Sequence, residues 1–215
     1  MRNFFKTSLL ILTLLALILV PFNVYAITNP SCISDSPEVK CNFKMLERKL
    51  WIDHVLWTRS FIVSDIASLE DKNDVLHRLF KNQDDIGNSI KPYYGEEAGN
   101  KLAVLLRDHI ALAGKVLEAA KNKNKDELDK YNKLWYDNAD KIADFLSSAN
   151  PNYNNKELKD MLYKHLQFVT DQVVARLNNN WKDDIESFDK GENHIINFAD
   201  IISDGIIKQF PEKFQ

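Results

Sequence analysis

Apolar residues in this chain recur at helical spacing almost without a break from Phe43 to the C-terminus. The stretch Leu102 to Ala120 sets the pattern. Leu102, Leu105, Leu106, Ile110, Ala113, Val116 and Leu117 form one stripe, and His109 lies inside it. The shift down the chain that carries His109 onto His165 also brings Leu158, Met161, Leu162, Leu166, Val169 and Val173 onto places in that stripe. A nearly equal shift in the other direction carries it onto His54, with Trp51, Trp57, Thr58 and Phe61 around it. No stretch shows sustained period-two alternation, so the pattern calls for no strands.

Six helices follow, at about Lys44 to Leu69, Lys72 to Ile90, Glu96 to Lys121, the middle of KNKNKDELDK to Ser148, Lys156 to Asn179, and Ile185 to Gln209. Tyr93-Tyr94-Gly95 after Pro92, Asn150-Pro151-Asn152 and Pro211 punctuate them, and Gly191 marks an irregularity in the last. The even helices repeat too. Asn82-x-Asp84-x-Ile86 and Asn138-x-Asp140-x-Ile142 are related by the same shift that links His109 to His165. Phe198-x-Asp200-x-Ile202 resembles them, with Phe in place of Asn. The expected fold is all-α: a six-helix bundle built from three helical-hairpin repeats over residues 44–215.

The N-terminus has another character. Arg2 and Lys6 precede an apolar run from Leu9 to Val20, and Val24-Tyr25-Ala26 offers small residues where a signal peptidase cuts. Residues 1–26 therefore read as a signal peptide rather than a retained anchor, and residues 27–43 as an irregular leader. The expected location is outside the cytoplasm, without stable membrane anchoring after cleavage. The two cysteines, Cys32 and Cys41, fit a small disulfide loop in an oxidising compartment or two unpaired thiols in the leader. Cleavage moves the formal charge from −3 to −5, because Arg2 and Lys6 leave and no acid does. A mildly acidic chain with no basic block excludes nucleic acid as a partner.

Histidine is the one residue type whose placement suggests chemistry. His54, His109 and His165 sit on faces that should be buried, and His194 on the sixth helix is positioned to join them. Imidazoles converging inside a bundle suit zinc, copper, nickel or iron, or a small ligand. Asn82 and Asn138 fall on the apolar stripe of their helices and are natural hydrogen-bonding partners for those rings. Asp84, Asp140 and Asp200 lie about 160° from the isoleucines that follow them, so they should face outward as ion-pair partners for Arg59, Arg107 or Arg176. Trp51, Trp57 and Phe61 read as an aromatic pocket or as ordinary core, with Trp135 and Trp181 as core.

Other chemistry finds no support. The chain has no His-Glu-x-x-His, no Gly-x-Ser-x-Gly elbow, no Gly-x-Gly-x-x-Gly or Walker-type loop, and no cysteine in the helical body. The strings HVLWTR at His54, NQDDIGNSIKPYYG at Asn82, WYDNADKIADFLSSANPN at Trp135 and GIIKQFP at Gly205 resemble a family of secreted, all-helical bacterial and archaeal proteins without an established function. That resemblance spans about Lys49 to Phe214 and implies a helical exported domain, with no catalytic residue to carry across. The expectation is a non-enzymatic binding protein with a histidine-lined interior for a transition metal or small ligand. Its alternatives are a structural or protein-interaction module, in which the histidines only satisfy the core, and a metal-dependent hydrolase.

Overall fold

The computed structural model describes residues 38–215. The signal-peptide reading and Cys32, hence the Cys32–Cys41 pairing, fall outside the described residues. Six helices follow in order: α1 (Glu38–Ile66), α2 (Lys72–Ser89), α3 (Lys91–Lys121), α4 (Lys125–Ala149), α5 (Asn155–Leu177) and α6 (Trp181–Gln209), with a final 3-10 turn at Pro211–Phe214. Each helix packs on the next, and α6 packs back on α1, which closes a ring. The short connections make neighbours antiparallel.

The helix α1 begins at Glu38, inside the stretch expected to be an irregular leader. Phe43 explains the extension, since its ring is buried 5.1 Å from Tyr93 and 5.2 Å from Phe214. A helical backbone is what carries that ring to the C-terminal turn. The Tyr93-Tyr94-Gly95 turn is a kink rather than a break: Gly95 has φ 84° inside α3, a conformation a side chain would strain.

The turns after α1, α3 and α5 share one design. Ser68, Lys123 and Asn179 adopt positive φ of 54°, 55° and 57°. The next residue in each case donates its N–H one residue further back than the helical pattern: Leu69 to Ser64, Asn124 to Ala119, and Asn180 to Ala175. This Schellman closure satisfies carbonyls that a helix end would otherwise leave unpaired. Asn124, Asn154 and Asn180 then cap α4, α5 and α6 by accepting from Glu127, Glu157 and Asp183.

The core runs through the ring's interior and includes Ile86, Leu106, Trp135, Ile142, Leu166, Phe198 and Phe214. Of the four tryptophans, Trp51 and Trp135 are buried, and Trp57 is half-buried beneath Arg78. Trp181 is 52% exposed, contrary to its expected place in the core. It is the first residue of α6, outside the packed length, where Arg176 covers its ring.

Candidate functional site

The three expected histidines meet in the interior. His165 is central, its ring centroid 5.4 Å from that of His54 and 6.2 Å from that of His109, and all three are buried. His194 does not join them. It is half-buried on α6, packs edge-on to Phe168, and bonds through Nε2 to the Met161 carbonyl.

That bond reveals a register. Asn82 donates to the Leu50 carbonyl, Asn138 to Leu105, and His194 reaches Met161, each carbonyl one helical turn before the histidine of its own odd helix. Asn82, Asn138 and His194 are evenly spaced along the chain, and so are the buried small residues Gly87, Ala143 and Ala199 that follow them. The residue that takes the asparagine's place on α6 is therefore His194, one turn before Phe198. The Phe198-x-Asp200 likeness is displaced because its acid pairs one turn away. Asp84 meets Arg107 at −2 from His109, and Asp140 meets Tyr163 at −2 from His165, whereas Asp200 pairs with Arg48 at −6 from His54.

The hydrogen bonds assign the tautomers. Asn138 gives its amide N–H to Leu105, so its Oδ1 faces His109 Nδ1 at 2.8 Å, and that nitrogen carries the proton. His109 Nε2 is then a lone pair, and Trp135 Nε1–H donates to it at 3.1 Å. Both nitrogens of His109 are committed. For His54 the expected partner, Asn82, stands one step back. Gln83 donates its amide to Leu79 and to Asn82 Oδ1, which turns its own Oε1 to His54 Nδ1 at 3.2 Å. His165 makes ring contacts with both histidines and no hydrogen bond to any described residue.

All three rings are held neutral. Burial pushes His54 down to about 3, with a further push from His109, and pushes His109 down to about 4 against the support of Asn138. Burial, then the neighbouring imidazoles, hold His165 well below the ordinary histidine value. A three-histidine metal site needs three free lone pairs converging about 2.0–2.1 Å from one point. His109 has none to offer, and no group of three or more His, Cys, Asp or Glu among the described residues is arranged to hold an ion.

Two buried acids are not visible in the sequence as site residues. Asp184 is gripped by Arg59 through two bonds of 2.7 and 2.9 Å and by Arg176 at 2.7 Å, so these arginines serve Asp184 rather than the repeated aspartates. In sequence Asp184 falls just ahead of the expected helix start at Ile185, beside Asp183, and nothing there marks it out. Glu47 is fully buried, and neither of its oxygens finds a hydrogen bond by geometry, nor does the nearby Trp51 Nε1. Burial raises its carboxyl to about 7, opposed by Ser89 and Trp51. Its only sequence signal is an acid on an otherwise apolar face, one turn before Trp51.

The arrangement defines a class: a closed ring of six antiparallel helices enclosing a layer of neutral imidazoles. No known family model, characterised protein or solved structure matches the chain, so the family resemblance rests on the quoted strings alone.

Proposed function

We propose that this chain is an exported, non-enzymatic binding protein made of three copies of one helical hairpin, and that its interior takes a small organic ligand rather than a metal ion. One observation carries the reading. Of three buried imidazoles, His54 is held by an amide and His109 by an amide and an indole, while His165 is held by neither. A neutral imidazole offers one donor and one acceptor, so a ring that meets no hydrogen-bond partner among the described residues and lines a cleft can hydrogen-bond a guest there. The recurring turn, the carbonyl contacts and the even spacing of the copies support the three-hairpin plan. The basic, apolar and small-residue order of residues 1–26 supports export.

The hydrogen bonds that hold His54 on one nitrogen and His109 on both favour a second reading, in which the whole layer only fixes the helices against one another. Two measurements separate the readings. Elemental analysis of protein purified without chelator is expected to find no stoichiometric zinc, copper, nickel or iron. A set of small neutral fragments, followed by the His165 ring resonances, is expected to contain saturable binders that leave His109 unmoved. If no fragment reaches His165, the structural reading stands in its place.

A further inference from the structure

What fills the space beside the other two histidines describes the space beside His165. One turn before Asn82, Asn138 and His194 stand Leu79, Trp135 and Gly191, all buried. That spacing puts each on the same face as the residue that follows it. Leu79 and Trp135 are among the largest fully buried side chains, and Trp135 closes His109 with its indole N–H. Gly191 brings no side chain, and Phe168 closes on it instead. A Cβ at Gly191 would lie 3.3 Å from Phe168 Cβ and 3.8 Å from Gln172 Nε2.

The result is a cleft between α1, α5 and α6, about 230 Å³ with its mouth included, lined by Val55, Thr58, His165, Phe168, Gln172 and Phe188 beside Gly191. Its other polar side chains are engaged. Thr58 donates to the His54 carbonyl, and Gln172 spans the Phe168 carbonyl and Arg59. Arg59 itself is turned onto Asp184 and the Phe188 ring. His165, 4% exposed, is the polar group left without a hydrogen bond at the cleft wall.

Building on the binding reading above, we propose that this cleft is a slot for a small, flat, neutral aromatic molecule bearing an N–H or O–H donor, of indole or phenol size, with His165 as its acceptor. The chain's own second hairpin displays the contact, an aromatic donor against a neutral imidazole 3.1 Å away. The charges agree. The lining of the cleft carries neither a cation nor an acid to pair with a charged ligand. As it stands the cleft is too tight for a free water molecule, so a ligand opens it by turning Phe168 or Phe188, both half-buried. Flat aromatic ligands suit a slot whose walls are themselves rings.

The test uses indole as the probe on the purified protein, with calorimetry for affinity and histidine-ring NMR for position. Expected are saturable binding, a shifted His165 ring and an unmoved His109 ring. Gly191→Leu places in the slot the side chain present at position 79 and should weaken binding at least about tenfold while circular dichroism shows an intact helical fold. If that variant does not fold, Gly191→Ala is the replacement, held to the direction of the same effect. Trp135→Gly should open a second slot, so that indole raises its Tm more than that of the wild type. The proposal is overturned if folded wild type shows no saturable binding at millimolar indole, or if the residue 191 variant binds as well as wild type. A non-aromatic fragment that moves His165 where indole does not would overturn the slot and leave the binding reading standing. Silence from every fragment would remove both.

Discussion

His109 and His165 occupy matching places on successive odd helices, both buried, and the chain treats them in opposite ways. His109 has an amide on one nitrogen and an indole on the other. His165 has a histidine where the amide would be, turned to a backbone carbonyl, and a glycine where the indole would be. These two differences leave the His165 ring without the two hydrogen bonds that hold His109. On the three-hairpin plan proposed above, the informative position is the one that departs from the pattern.

The largest expected effect concerns both rings together with His54. Their folded values are depressed below 6.5, so the stability that neutral burial permits is fully present above that pH. It falls as the pH drops toward about 4 for His109 and about 3 for His54. Each ring costs about 1.4 kcal/mol per pH unit in that window. With His165 pushed the same way, the three together would remove a large part of a typical stability of about 5–15 kcal/mol by pH 4. Urea melts from pH 7.5 to 4.5 should show the midpoint collapsing, and a flat profile would contradict the burial of neutral rings.

The next effect separates the two rings. Trp135→Ala should cost about 3–5 kcal/mol, as a buried tryptophan does, and His109→Phe about 2–4 kcal/mol, because it strands Asn138 Oδ1 and the Trp135 indole. His165→Phe strands nothing and should fall within about 1 kcal/mol of wild type while abolishing indole binding. Equal losses at the two histidines, measured by denaturant unfolding, would erase the distinction.

Glu47 provides a control of opposite sign. Its folded value is raised to about 7, so its stability is full below 4.5 and lost as pH rises through 7. Glu47→Gln should therefore gain about 2–3 kcal/mol at pH 8 and close to nothing at pH 5. A gain independent of pH would point to packing rather than ionisation. The smallest effect is Trp135→Phe, about 1 kcal/mol for the lost indole bond, and it should also make the His109 ring responsive to indole.

Helical periodicity and the echo between copies made most of this legible in the sequence. The helix order, the buried places of His54, His109 and His165, the His109–Asn138 pairing and the Asp84–Arg107 pair all follow from spacing. What spacing does not encode is rotamer choice and one-turn offsets. Gln83 reaches His54 because a glutamine is one methylene longer than the asparagine beside it. His194 reads in sequence as a fourth ring for the cluster, yet its register aims it at a carbonyl. Gly191 reads only as an irregularity, because the importance of an absent side chain depends on what stands at the same place in the other copies.

Histidine-ring nitrogen–proton correlation spectra during an indole titration separate His109, whose two nitrogens are engaged, from His165, the proposed acceptor. Expected are His109 as the Nδ1–H tautomer, with a protected proton that does not move, and a His165 ring that shifts saturably. Equal protection of both rings with no shift at His165, or a shift at His109 instead, would contradict the proposal.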